Sequence, residues 1–209
     1  FGAFQCNLLL EGFYTRLNHV FVLEEIGKDE EHNAVIKERR NGQGAEVAGV
    51  TVEGKVAYLS LVQLQAGVTW QKSHYTRPEK WSKDSSVPAE KRIFRTPDWY
   101  GYFTATYSPV KPLNIALSGT YTGSMIVQHM KGYIPKDIAV TTPDFFDMNL
   151  KISYDFSLYK FITLQLNAGI QNIFNAYQRD FDQGKERDSG YIYGPSMPRS
   201  YFAGAKLMF

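Results

Sequence analysis

The chain has 209 residues with 23 Lys and Arg against 21 Asp and Glu, a net charge of +2, which leaves no electrostatic case for nucleic acid as a partner. Mean hydropathy is −0.32, and no apolar run reaches the ~18 residues that a membrane-spanning helix needs. The same mean leaves room for a membrane sheet, because half of each strand in such a sheet is polar.

Eight runs alternate apolar and polar residues with the period of two that marks a strand. The first is Ala3 to Arg16, with an extension to Glu24 left open; Phe4, Cys6, Leu8 and Leu10 alternate with Gln5, Asn7, Leu9 and Glu11. The second covers Glu46 to Tyr58 and the third Leu61 to Lys72, where Val62, Leu64, Ala66, Val68 and Trp70 share one phase. Thr96 to Tyr107 and Leu113 to Ser124 follow. The strictest pair is Asp144 to Phe156 and Lys160 to Ile170, separated by a short turn and therefore expected as an antiparallel hairpin. The eighth run is Arg199 to Phe209.

The connections alternate long and short without exception. Val20 to Gln43, Ser73 to Phe94, Met125 to Thr142 and Asn175 to Pro198 are long. Tyr58 to Ser60, Ser108 to Pro112 and Phe156 to Lys160 are short. Compact soluble domains seldom carry four long loops, whereas transmembrane barrels have long loops on one rim and short turns on the other. Small residues (Ala105, Gly119, Ala168, Ala203, Ala205) interrupt the apolar face, as lipid tolerates. Aromatic residues gather near the run ends: Trp70, Trp99, Tyr107, Tyr121, Tyr154, Phe156, Tyr201 and Phe209. That distribution suits interfacial girdles. Cys6 is the only cysteine, so no disulfide forms within the chain; it falls on the apolar face and reads as a small buried or lipid-facing hydrophobe.

The fold expected is all-β: an antiparallel up-and-down transmembrane β-barrel segment of about eight strands, with long extracellular loops and short periplasmic turns, forming a single region over 1–209. The polar face would turn Gln63, Gln65, Thr104, Asn114, Asn149, Lys151, Gln165 and Lys206 to the lumen. Phe1-Gly-Ala-Phe lacks the charged and apolar regions of a signal peptide, so the chain is expected to be mature or a piece of something longer.

Several stretches carry a resemblance. Gly204, Leu207 and the terminal Phe209 resemble the end of outer-membrane barrels, a pattern read by the barrel-assembly machinery, with Phe202 where a polar residue is usual. Asn167-Ala-Gly-Ile-Gln-Asn-Ile-Phe-Asn-Ala-Tyr and Arg187-Asp-Ser-Gly-Tyr-Ile-Tyr-Gly-Pro-Ser-Met-Pro-Arg-Ser-Tyr resemble the end of TonB-dependent outer-membrane receptors. Gly44-Ala-Glu-Val-Ala-Gly-Val-Thr-Val-Glu-Gly, Arg95-Thr-Pro-Asp-Trp-Tyr-Gly and Ser118-Gly-Thr-Tyr-Thr-Gly look like the preceding strands of that family.

The resemblance implies the C-terminal portion of a larger receptor in the outer membrane of a Gram-negative bacterium, with the plug domain absent and several hundred residues and a signal peptide upstream. It also implies energised uptake of a scarce nutrient: an iron chelate (siderophore or haem), cobalamin or a glycan. Expected partners are outer-membrane lipid and lipopolysaccharide, the barrel-assembly machinery, TonB through the missing N-terminal region, and the transported ligand.

No Ser/His/Asp set, Cys/His metal spacing or phosphate-binding Gly loop is present, so no catalytic residue, metal site or cofactor is expected. The loop candidates for ligand contact are Trp81, His129, Tyr133, Arg179, Arg187, Tyr191 and Tyr193. His19, His32, His74 and His129 read as solvated loop or rim residues, with His129 near Met125, Met130 and Tyr133 as the one that could touch haem or a metal chelate. Asp180 and Asp182 are in phase but have no partner acid at a defensible spacing. Two other readings stand beside the receptor. A complete eight-stranded barrel acting as anchor, adhesin or structural protein requires Ala3–Leu10 to pair with Tyr201–Phe209. A soluble lipocalin-like barrel requires the apolar residues to gather inside.

Overall fold

The structure, a computed structural model, describes residues 2–32 and 34–209. Its elements are β1 (Phe4–Leu17), β2 (Phe21–Asp29), β3 (Ala34–Asn41), β4 (Ala45–Tyr58), β5 (Val62–Glu79), β6 (Glu90–Arg92), β7 (Trp99–Val110), β8 (Leu113–Thr122), β9 (Ile126–His129), β10 (Ile138–Thr141), β11 (Phe145–Tyr159), β12 (Ile162–Gln171) and β13 (Ser200–Met208). Among the described residues no helix is long and apolar enough to cross a membrane.

One antiparallel sheet takes the order β1-β4-β5-β7-β8-β11-β12-β13, with β6 added against β5. Each of the eight alternating runs is one strand of that path, and neighbours in sequence are neighbours in space. The ends differ in detail. β1 stops at Leu17 rather than reaching Glu24, because the chain turns and starts a separate hairpin, β2–β3. β7 begins at Trp99 and not at Thr96, since Pro97 has no N–H to give a ladder. The carbonyls of Pro97 and Asp98 are instead taken by the side chain and backbone N–H of Gln71.

Register decides which residues share a side. Cys6 lies opposite Val56, Val56 opposite Leu64, Leu64 opposite Ala105 and Ala105 opposite Leu117. The row continues through Leu150, Ile170 and Tyr201. The adjacent row, on the other side, is Asn7, Lys55, Gln65, Thr104, Ser118 and Asn149. A slip of one residue anywhere would swap the two sides.

The apolar side is the open one. Leu8 is 76% exposed, Leu64 43%, Leu166 44% and Tyr201 70%, whereas Thr69 on the polar side is 5% exposed. A sheet folded for water would do the reverse. Side chains in step with Leu150, Leu166 and Phe209 thus face outward, and the lipocalin-like arrangement is not the one adopted.

Two aromatic belts bound the apolar side. Trp70 and Trp99 stand 6.4 Å apart at the long-loop rim. Phe4 and Tyr58, and Tyr154 and Phe156, each 4.6 Å apart, stand at the short-turn rim. Val62, level with Tyr58 and Tyr107, is eight residues from Trp70 on β5. At ~3.3 Å per residue and a tilt of ~40°, the apolar band is roughly 20 Å tall, close to the ~25 Å of membrane barrels.

β1 and β13 are opposite edges of an open sheet and do not pair with each other. The Ala3–Leu10 to Tyr201–Phe209 pairing that a complete eight-stranded barrel needs is therefore not made. The well-buried apolar residues Ala45, Ile126, Val127, Phe145 and Tyr191 lie not in the middle of the sheet but at its long-loop rim.

Candidate functional site: a cap of cross-tied loops

At that rim three long connections, residues 80–98, 123–144 and 172–199, bond to one another. The last is clamped at its root by the Asn-Ile-Phe-Asn motif. Asn172 and Asn175 both adopt left-handed backbone, with φ of 51° and 54°, which asparagine tolerates better than most residues. Asn172 is 4% exposed. Its side-chain amide donates to the carbonyls of Ala176 and Met197, and its oxygen accepts from Ala176 N–H. Asn175 Oδ1 accepts from Arg199 N–H. Departure and return of a long loop are thus fixed by two residues that sit three apart.

Inside this loop Gln178, 1% exposed, does the same for its apex. Its amide donates to the carbonyl of Tyr191 at 3.1 Å, and its oxygen accepts from Tyr193 N–H at 2.8 Å. The two phenols then converge on one carboxylate: Tyr191 OH donates to Asp180 Oδ2 at 2.8 Å and Tyr193 OH to Oδ1 at 2.6 Å. Burial works against the Asp180 charge, but hydrogen bonds from Tyr193 and Tyr191 outweigh it and hold the carboxyl below its ordinary range. Burial and then the Asp180 carboxylate push the Tyr191 phenol up to about 12 and the Tyr193 phenol higher still.

Asp182 turns the other way. It accepts from His129 Nε2 at 2.9 Å and from the backbone N–H of Asp188. His129, at the end of β9, is 6% exposed and stacks on Tyr191 at 3.7 Å with rings 10° apart. The expectation of a solvated His129 is corrected here: a ring packed on another ring, with a buried carboxylate as partner, is a structural tie between loops. Asp188 extends the tie, accepting from Met130 N–H at 2.8 Å.

Arg95 joins all three connections. Its N–H donates to the carbonyl of Ile126, and its guanidinium donates to the carbonyls of Ile192 and Gly190. Its φ is 59°, a conformation costing a non-glycine residue roughly 1–2 kcal/mol that the surrounding bonds must offset. Ser82 adds a fourth contact, donating to Asp137 Oδ2 at 2.6 Å.

The remaining candidates divide by position. Trp81 is tied down, its indole N–H donating to Pro88 and its ring meeting Phe94 edge-on at 5.3 Å. Tyr133 is 57% exposed. Arg179 is exposed over the Tyr177 ring at 5.1 Å, and exposed Arg187 donates to the nearby carbonyl of Gly184. In the sequence Asp180 and Asp182 stand out only as a pair without a partner acid, and Arg95 only as the start of a family-like stretch. Their partners are a histidine, phenols and carbonyls up to 97 residues away, which spacing between acids cannot reveal. Among the described residues no three His, Cys, Asp or Glu side chains converge as a metal set.

The polar side below the cap is cross-linked by hydroxyl and amide pairs. Gln65 donates to Glu53 at 3.0 Å and to the Tyr102 hydroxyl at 3.1 Å, and Thr51 meets Thr69 at 2.9 Å. A depression of about 440 Å³ is lined there by Thr51, Thr69, Tyr100, Tyr102, Thr120 and Thr122 among others. At the far edge, Gly204 lies against the Asn167 side chain, and Leu207 and Phe209 point outward, 48% and 90% exposed.

A family model described as "TonB dependent receptor-like, beta-barrel" matches residues 4–173. Among solved structures thirteen chains match. One is the crystal structure of the ferric-catecholate import receptor Fiu from Escherichia coli K12 in its closed form, 20% identical with a TM-score of 0.58. That match covers 96% of this chain and 25% of the receptor chain, and at this identity it shows the shared fold. No curated protein matches the chain.

Proposed function

The chain belongs to the TonB-dependent receptor β-barrel family, and on that premise we propose that it forms part of the wall and mouth of an outer-membrane uptake receptor in a Gram-negative bacterium. Its cargo is a scarce nutrient, an iron chelate (siderophore or haem) or cobalamin. The observation that carries the reading is the inverted sheet: outward Leu64, Leu166 and Leu207 are open while inward Thr69 is 5% exposed. Such a wall is stable where its outer side meets hydrocarbon and its inner side meets water and polar protein.

In this reading the loop cap meets the ligand before the lumen does. Tyr133, Arg179 and Arg187 are free at the surface to contact it, with Trp81 at the flank; His129, Tyr191 and Tyr193 hold the apex in shape. Energy comes from TonB through a part of the receptor outside this chain. Gly204, Leu207 and Phe209 serve the barrel-assembly machinery, and the outward rim contacts lipid and lipopolysaccharide.

The test is growth. A deletion strain is supplied with one source at a time: individual ferric siderophores, haem, or cobalamin. A defect confined to one source, restored by the gene, is expected. Growth equal to the parent on every source would overturn the proposal.

A further inference from the structure

Alternation assigns each strand its sides but does not fix its register. A slip of two residues between antiparallel strands keeps every side chain on its own side and leaves the ladder bonds available. Short turns remove that freedom for β4–β5, β7–β8 and β11–β12, because turn length sets which residues face each other. The junctions β1–β4, β5–β7, β8–β11 and β12–β13 are joined by long connections and have no such turn.

At three of these four junctions an aromatic ring lies on the glycine directly across from it: Phe13 on Gly49, Tyr102 on Gly67 and Phe202 on Gly169. A methyl added to any of these glycines would run into the ring. The fourth junction is bridged from one strand further away. Phe103 of β7 lies on Gly119 of β8, and its ring stacks with Phe146 of β11 at 6.3 Å. We infer that rings seated on glycines set the register where turns cannot, and that Phe202 on Gly169 is the pair that positions the terminal strand.

Such a seat accepts one register. Slipped by two, Phe202 faces Asn167 or Gln171, Tyr102 faces Gln65 or Thr69, and Phe13 faces Val47 or Thr51. Each of those residues puts a side chain where glycine leaves room, so the ring swings off the sheet and loses its contact. A slip of β11 on β8 carries Phe146 away from the Phe103 ring or onto it. The seat also accounts for an apolar ring on the polar side of β13, where outer-membrane barrels usually carry a polar residue: Phe202 covers the Gly169 backbone. Without it, a slip of two displaces Gly204, Leu207 and Phe209 by about 7 Å along β12. Register is a property of the wall, whatever the receptor carries.

The experiment uses the whole receptor in outer membranes, with Cys6→Ala removing the native thiol. Two reporter pairs are compared. Gln165→Cys with Lys206→Cys face each other in the native register; Asn167→Cys with Lys206→Cys do so only after a slip of two. Mild oxidation followed by denaturing electrophoresis reads the disulfide each pair forms. Expected is cross-linking dominated by the first pair. Phe202→Ser raises the second pair relative to the first by about fivefold, the weight of a strong cross-strand contact. Moving the seat, with Gly169→Gln and Gln171→Gly together, makes the second pair dominant, because only the slipped register then puts Phe202 on glycine. Asn172→Ala loosens the loop root without touching the seat and leaves the first pair dominant. Native cross-linking in both seat variants, or a shift as large in Asn172→Ala, overturns the inference. Should a variant fail to insert, the same cross-links are read on receptor refolded from urea into detergent, with the same outcomes deciding. All readouts are taken on the protein itself, so a deletion strain without a growth defect would count against uptake alone.

Discussion

Replacing Ile152 by arginine tests the sidedness of the wall in one residue. Ile152 lies opposite Ile115 and Ala168 on the outward side and is 43% exposed. It is four residues from Phe156 and six from Phe146 along β11. At ~3.3 Å per residue and a tilt of ~40°, it sits about 10 Å from one belt and about 15 Å from the other, near mid-membrane. Arginine at that depth costs ~2–4 kcal/mol, roughly a 30- to 900-fold loss in the folding equilibrium. Ser153→Arg is the control: same depth, opposite side, between Asn114 and Asn167. A luminal arginine keeps its water, so its cost stays within about 1 kcal/mol. Urea unfolding of the receptor in phospholipid vesicles reads both. With a slope of ~2 kcal/mol/M, the Ile152→Arg midpoint falls by about 1–2 M while the Ser153→Arg midpoint stays nearly fixed. Equal costs, or a larger cost for Ser153→Arg, would refute the assignment of sides.

Asn172→Ala removes three hydrogen bonds at a buried site and leaves two carbonyls and one N–H without that partner. The loop root should loosen by ~2–3 kcal/mol, seen as faster amide exchange and proteolysis within residues 176–197 with the wall unaffected. Gly169→Ala would drive a methyl into the Leu150 carbonyl and the Phe202 ring; a destabilisation of about 1–3 kcal/mol is expected in the same urea assay. The apex should respond to pH at both extremes. Tyr191 is raised in the fold, so its contribution is complete below the unfolded phenol value of ~10 and is lost as pH rises through about 12. Asp180 is lowered, so its contribution is complete above ~4 and is lost as pH falls further. Ultraviolet titration of tyrosine, comparing the unaltered protein with Tyr191→Phe, checks the alkaline limb.

The wall was legible because its signal is local and repetitive. A residue such as Leu64 declares its side by what stands at 62 and 66, and eight such runs order themselves once long and short connections alternate. The same logic failed where strands are short or irregular. β9 and β10 have four residues each, too few for a period. The 20–43 segment read as a charged loop, yet it holds the β2–β3 hairpin, whose alternation is broken by a bulge between Glu25 and Gly27.

The cap was the least legible part. Tyr191 and Tyr193 were marked for their residue type and loop position, and both do sit at its centre. What they touch is not local in sequence: His129 meets Asp182 across 53 residues and Arg95 reaches Gly190 across 95. His129 looked solvated because nothing near it in the chain hides it; the ring that covers it comes from the other end of the sequence. Asp180 and Asp182 read as partnerless because chain spacing can show only a neighbouring acid, and their partners are a histidine and two phenols.

The paired asparagines have a consequence for how such a protein can change. Asn172 and Asn175 grip the returning chain at Met197 and Arg199, so the stem closes before the rest of the loop opens. Whatever is written between those grips leaves the ladders of β12 and β13 undisturbed. Insertions or wholesale exchange there can retune what the mouth accepts while the hydrocarbon-facing shell is inherited intact, so recognition and residence in the bilayer can evolve on separate clocks.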